Sequence, residues 1–251
     1  MKILSEANKQ GIRKYNNDIK NNMENIYYVM DGATPLFDDN IFFETSDSYE
    51  YMQLLKKNIV VNENIKESFK NGIIESNKKF LNLENYNEYE LPTFTMAAVK
   101  EKDTTYELFL LCDCLISILY KNGEIENYED HRFDKIKFEC RKEIKEKIEM
   151  LEISEQEKSE MKREVFRKYR KFANAQDGYP VGSTNPESIE NMIVKEIEKA
   201  KIDKILLCSD GLYDEIGIPK EQKDFDNAYL EEKLKDIKNK DDLTYILISN
   251  E

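Results

Sequence analysis

The chain has 251 residues, 40% of them hydrophobic and 35% charged, which suits a water-facing globular protein with a sizeable core and excludes a disordered tail. A formal net charge of -13 argues against a nucleic-acid backbone as partner, since phosphate contacts need clustered Lys and Arg. No window approaches 18 uninterrupted apolar residues, so no membrane span is expected.

Taken in chain order, the amino terminus has no apolar core of signal-peptide length. Asn25 to Met30 is a short apolar, aromatic and β-branched run that predicts a strand. From Ser46 to Leu83 apolar residues recur at three- and four-residue spacing (Tyr51, Leu54, Leu55, then Ile65, Phe69, Ile73), which predicts two adjacent helices. Tyr86 to Tyr89 reads as a loop packed on the body. Phe94–Val99, Tyr106–Cys112 and Leu115–Tyr120 are three strands, and Lys-Asn-Gly-Glu at 121–124 is a hairpin turn with positive φ at Asn-Gly. Asp134 to Phe172, dense in Lys, Glu and Arg, predicts one long or two shorter helices with a solvated charged face. Ser188 to Ala200 is expected to be a further helix and Tyr229 to Ile237 another, with strands at Lys204–Cys208 and Leu243–Ser249. No repeat or linker divides the chain, so one domain over residues 1–251 is expected. Hairpin-like strand blocks with helices inserted in pairs predict an α+β fold with antiparallel sheets.

Cys112, Cys114 and Cys208 lie in or beside apolar runs, where a thiol acts as a small core residue. A disulfide framework is not expected and a reducing cytoplasm is the natural setting. Zinc is disfavoured by the C-x-C spacing and by a single histidine, His131.

The chemistry lies at the ends of the apolar runs. Ile26–Met30 ends in Asp31-Gly32, Leu108–Cys112 in Asp113, Ile205–Ser209 in Asp210-Gly211 with Asp214 four residues on, and Asp241-Asp242 precede the final strand. One Asp-Gly after a strand is ordinarily a turn. Several such carboxylates at the edge of an apolar core would repel one another and lose hydration unless cations neutralised them. All-oxygen donors suit hard ions such as Mg²⁺ or Mn²⁺. Of only eight glycines, three directly follow Asp31, Asp177 and Asp210.

In order and wording these segments resemble the metal-dependent protein phosphatases of the type-2C serine/threonine family. Gly11-Ile-Arg13…Asp18, Val29-Met-Asp-Gly32, Leu111-Cys-Asp113, Leu207-Cys-Ser-Asp-Gly-Leu-Tyr-Asp214 and Lys240-Asp-Asp-Leu-Thr244 match its elements across residues 10 to 249. Asp177-Gly-Tyr-Pro is similar to a stretch in some bacterial members. The resemblance implies a central antiparallel β-sandwich flanked by helices, in four layers α-β-β-α. It implies a metal centre of Asp18, Asp31, Asp210 and Asp241 with the Gly32 carbonyl, holding two Mn²⁺ or Mg²⁺ ions, and a third site at Asp113 and Asp214. Arg13 would grip the substrate phosphate, and the substrate would be a phosphoserine or phosphothreonine protein, handled by a cytoplasmic monomer. A catalytically weak sensor on the same fold, or a phosphatase of small phosphate esters, is the alternative. Two departures stand out: Ala33 replaces the His of the eukaryotic branch, and Cys112 replaces a Gly. The segment at Leu91–Ala98 is altered as well. Asp242 competes with Asp241 as a ligand, Asp177 is a further candidate, and His131 a candidate acid.

Overall fold

The computed structural model describes residues 1–37, 40–235, 237 and 240–250. Among these, two antiparallel sheets form an α+β sandwich. Sheet one contains β1 (Lys2–Lys9), β6 (Leu115–Tyr120), β7 (Ile125–Tyr128), β10 (Ile202–Cys208) and β11 (Leu243–Ser249), in the order β1-β11-β10-β6-β7. Sheet two contains β2 (Ile19–Met23), β3 (Ile26–Gly32), β4 (Thr93–Glu101), β5 (Thr105–Leu111) and β9 (Ile193–Glu198) in that order, with the short β8 (Gly182–Ser183) paired to β4.

The central strands read as continuous apolar runs because both of their faces are covered. On β4, Ala97 and Val99 face the other sheet while Phe94, Met96 and Ala98 face the helices. On β10, Ile205 and Leu207 join the inter-sheet core while Leu206 and Cys208 turn to the opposite side. Helices α1 (Asp47–Asn58) and α2 (Ile65–Asn77) cover sheet two through Tyr51, Leu55, Phe69 and Ile73. Ser46 caps α1 by accepting from Tyr49 N, and Asn64 caps α2 from Lys66 N. Sheet one is covered by α5 (Asp210–Ile216) and α6 (Asn227–Lys235), which supply Leu212, Leu230 and Leu234. Four layers, α-β-β-α, are the result. A helical hairpin, α3 (Asp134–Ile144) with a wide turn over Lys145–Glu149 and α4 (Glu155–Arg170), is inserted between β7 and β8.

Where the structure departs from the sequence reading, the reasons are local. The helix expected over Ser188–Ala200 is instead a short 3-10 turn at Pro186–Asn191 followed by β9. Ile193, Val194 and Ile197 are β-branched and lie against β5, with Thr105 opposite Glu198 and Leu110 opposite Ile193. Lys195, Glu196 and Glu198 keep this edge strand charged, which blunts it against further pairing. In the 121–124 hairpin only Gly123 takes positive φ (89°); Tyr120 N donates to Glu124 O, so the turn is a bulged one. Strands β1 and β2 were missed, being half polar, and α6 ends at Lys235, short of the expected Ile237, with residue 236 outside the described residues.

Candidate metal centre and active-site cleft

Five chain segments meet at one end of the sandwich: the loop 10–18 between β1 and β2, the end of β3, the β5–β6 turn, the start of α5, and residues 241–242 before β11. Four of them meet backbone to backbone, and the Tyr213 hydroxyl donates to the Asp113 carbonyl of the β5–β6 turn (2.7 Å). A Cβ on Gly11 would lie 2.5 Å from the carbonyl carbon of Asp241, and one on Gly211 would lie 1.9 Å from the carbonyl oxygen of Asp242. Gly32 is likewise held against Asn17, whose carbonyl oxygen would be 2.6 Å from an added Cβ. These close approaches explain why scarce glycines follow aspartates here.

Polar contacts fix the same joint. The buried Asp242 carboxylate accepts from Gly11 N (2.9 Å) and Asn17 N (2.8 Å), pinning both ends of the segment that carries Arg13. Ser209 Oγ donates to Asp18 Oδ2 (2.8 Å) and accepts from Thr244 N (3.0 Å). Asp18 is 2% exposed, and its Oδ1 has no hydrogen-bond partner.

Asp18, Asp31 and Asp210 lie close enough to perturb one another. Burial, and then the charges of Asp242 and Asp210, push Asp18 up to about 8. Burial and Asp113 push Asp210 up to about 7. Asp31 is raised well above the carboxylate range by burial and by Asp18, Asp210 and Asp113. A water-poor cluster of anions in which one buried oxygen is unpaired is chemically matched to a hard divalent cation, and every donor is oxygen. The donors do not close round one point as they stand: among the described residues no group of three or more such side chains is arranged to hold a metal ion. Asp241 Oδ1 faces Arg13 Nη1 at 3.0 Å, and Asp113 Oδ2 faces Lys137 Nζ at 3.5 Å, so the protein's own cations engage these two.

Arg13, Asp31, Asp113, Asp210 and Asp241 line one cavity of about 140 Å³. A larger cleft of about 710 Å³ shares Arg13, Asp113, Asp210 and Asp241 with it and is bounded as well by Asp214 and the α3–α4 hairpin. Asp18 lies behind this surface. Asp214 is exposed on α5 at the cleft wall. The structure therefore gathers Arg13, Asp18, Asp31, Gly32, Asp113, Asp210, Asp214 and Asp241 at one end of the sandwich.

The other candidates stand apart in role. Both oxygens of Asp242 are occupied by backbone N–H groups, so it braces the site. His131 is 70% exposed and pairs with Asp134 (2.8 Å) at the start of α3. Asp177 is exposed in a turn where Tyr179 N donates to Phe172 O, and Tyr86 meets Phe42 edge-on while Tyr89 tilts against Phe37 as a packed loop. Cys112 takes φ 60°, the left-handed region that favours glycine, while its N–H donates to Asp130 Oδ2 (3.0 Å).

Sequence reasoning missed Ser209, Lys137 and Arg170. Arg170 lines both cavities and donates to Thr93 Oγ1 (3.1 Å) and Thr34 O (3.3 Å), beside the Ala33 segment. Ser209 could have been found, since it directly precedes Asp210. Lys137 and Arg170 lie in a run of charges whose pattern alone marks no residue as inward-facing.

No family model and no curated protein matches the sequence. Solved structures do match in fold. The serine/threonine phosphatase Stp1 from Staphylococcus aureus aligns with 99% of this chain and 95% of its own, at 15% identity and a TM-score of 0.55. The Mycobacterium tuberculosis serine/threonine phosphatase PstP/Ppp aligns with 97% of this chain and 96% of its own, at 14% identity and 0.57. The PstP catalytic domain solved with two manganese ions aligns with 97% and 95%, at 16% identity and 0.53. At such identities the likeness establishes the fold.

Proposed function

We propose that this chain, whose fold is that of the bacterial serine/threonine phosphatases, is a metal-dependent phosphatase that hydrolyses phosphoserine and phosphothreonine esters in proteins. The observation that carries the reading is the buried cluster of Asp18, Asp31 and Asp210, raised in pKa by burial and neighbouring charge, with Arg13 lining the cavity that Asp31 and Asp210 also line. Asp18, Asp31, Asp210 and Asp241 with the Gly32 carbonyl would hold two ions, and Asp113 with Asp214 a third. Mn²⁺ is favoured by the manganese-bound PstP neighbour, with Mg²⁺ as the other hard ion of suitable chemistry. Asp241 is preferred to Asp242 because Asp242 is committed to backbone N–H groups.

Bound there, divalent cations supply the Lewis acidity that activates water and offsets phosphoryl charge. The chain's own residues do the rest. Arg13, partly exposed and paired with Asp241, can exchange that partner for phosphate oxygens, which its forked donors fit. Asp242 and Ser209 hold the loop and the Asp18 carboxylate in place, so little reorganisation is needed when substrate enters. Ala33 carries no transferable proton, so the leaving oxygen takes its proton from another group of the cleft or from water. The reading extends to a cytoplasmic monomer. Four buried free cysteines accord with a reducing setting, and among the described residues no helix is long and apolar enough to cross a membrane.

The test is hydrolysis of p-nitrophenyl phosphate and a phosphoserine peptide with Mn²⁺, Mg²⁺ or EDTA. Turnover should require metal, and Asp210→Ala should lower it by about a hundredfold or more. Metal-independent turnover, or full activity in Asp210→Ala, would overturn the mechanism. The sensor alternative draws on Ala33 and on the ion pairs that engage Asp241 and Asp113. Tight Mn²⁺ binding by calorimetry without turnover of either ester would select it.

A further inference from the structure

The α3–α4 hairpin presents two different stripes. Ile136, Cys140, Ile144 and Ile148 recur every four residues and are buried. The last three pack against Val165 and Tyr169 of α4, and Ile136 packs against Cys112, Tyr179 and Val181. One residue further at each step stand Lys137, Arg141 and Lys145, which share a face and all line the 710 Å³ cleft. At a helical rise of about 1.5 Å per residue they stand about 6 Å apart, so Lys145 is about 12 Å from Lys137.

The three differ in what they touch. Lys137 is tied to Asp113 at the inner end. Arg141 and Lys145 have no ion pair or side-chain hydrogen bond among the described residues, whereas their neighbours Lys142, Lys147 and Lys168 pair with Glu146 and Glu143. On the outer wall the one cleft-lining carboxylate among the described residues is Glu149, and the floor between is apolar, with Leu36, Ile144 and the 41%-exposed Phe166. In a chain of net charge -13 the hairpin side of the cleft is locally positive, with Lys137, Arg141 and Lys145 against Glu149, while Asp113, Asp210, Asp214 and Asp241 line the rest. Screening over about 10 Å confines its field to whatever lies in the cleft.

We propose that Arg141 and Lys145 make this enzyme selective for acidic phosphopeptides, pairing with carboxylates two and four residues to one side of the phosphorylated residue. The proposal rests on the phosphatase reading for the position of the phosphate. An extended peptide advances about 3.3 Å per residue, so with the phosphate placed at the end of the cleft where Lys137 meets Asp113, steps of about 6 and 12 Å along the helix correspond to two and four residues. The apolar floor takes the intervening side chain.

The test uses the full chain with Mn²⁺ and phosphoserine peptides carrying Glu at those two positions, on the amino- or the carboxyl-terminal side, against matched Gln and Lys peptides. The Glu peptide should exceed the Gln peptide in kcat/KM by about tenfold on one side, two exposed ion pairs being worth a few-fold each. The advantage should shrink in 0.5 M salt. Arg141→Glu with Lys145→Glu should reverse the order so that the Lys peptide is best. Arg141→Gln with Lys145→Gln, which keeps the helix uncharged at these sites, should abolish the preference. Equal kcat/KM for Glu and Gln peptides on both sides, or a preference that survives charge reversal, would overturn the proposal. Should no peptide be turned over, anisotropy of labelled Glu and Gln phosphopeptides reads selection alone. Tighter Glu binding lost on charge reversal would uphold it while the catalytic reading fails, and equal binding would overturn it.

Discussion

At the end of the sandwich the chain touches itself through backbone, with Gly11 and Gly211 against Asp241 and Asp242 and with Asp242 spending both oxygens on N–H groups. The overhanging hairpin is attached by side chains instead. Arg163 and Arg167 donate to the carbonyls of Leu36 and Phe37, Arg170 to that of Thr34, and α4 has no buried residue. On the proposed function, carboxylates that converge on cations need sub-ångström placement, which close-packed backbone supplies. On the same proposal, a wall that meets a variable peptide needs only charge and apolar surface, which long side chains supply while remaining able to move. The two regions should therefore answer differently to mutation, to pH and to proteolysis.

The largest effect should come from Gly211→Ala. Its Cβ would fall 1.9 Å from a backbone oxygen that cannot swing aside, and α5 and β11 would have to part. A loss of about 3 kcal/mol or more is expected, lowering Tm by about 6–12 °C. A shift under about 2 °C would show that the joint is softer than its geometry. Asp242→Asn should cost somewhat less, about 2 kcal/mol, because the amide keeps one acceptor and turns donors toward a backbone N–H. It should also weaken Mn²⁺ binding in calorimetry, by loosening the loop that carries Arg13 and Asp18. Unchanged stability with weaker metal binding would instead make Asp242 a ligand.

The legibility of the sequence divides along the same line. Asp31, Asp113 and Asp210 could be read because each ends an apolar run, and a strand buried on both faces leaves a plain signature. The four-layer fold came with the family resemblance. β1 and β2 escaped because their outward faces are polar, and β9 was mistaken for a helix because an edge strand of alternating charge carries little period-two signal. In the hairpin the dense charges read as one solvated helix face. Lys137 and Arg170 differ from Lys142 and Lys147 only in which way the helix turns them, and that is set by packing against Cys112, Tyr179 and Val181, far off in sequence.

The divide also predicts opposite responses to pH. Asp18 and Asp210 are raised, to about 8 and about 7, by burial first and neighbouring charge second. A raised carboxyl favours folding in its protonated form, so its contribution is present below the unfolded carboxylate range and lost as pH rises through about 7 to 8. On the hairpin, Glu143 is lowered to about 2 by its hydrogen bonds to Lys168, Lys147 and Tyr169, so any contribution it makes is lost only as pH falls. Thermal melts in EDTA should show Tm falling from about pH 5.5 to about 8.5, and saturating Mn²⁺ should remove that slope by neutralising the cluster. A Tm in EDTA that rises over this range would contradict the raised values.

The smallest effect should come from Arg163→Ala with Arg167→Ala. These guanidiniums hold the hairpin to the 36–37 carbonyls at partly exposed positions, where the three contacts together are worth about 1 kcal/mol. Global Tm should fall by no more than about 4 °C, since the sandwich core is untouched. The change should appear locally, as faster proteolytic cleavage within 145–154 and a KM for phosphopeptide raised a few-fold, with kcat held by Arg13 and the carboxylates. A matching fall in kcat would mean that the hairpin's position shapes the carboxylate cluster itself, through Arg170 and the 33–36 segment. The wall and the metal centre would then be one mechanical unit, and their different construction would not make them independent.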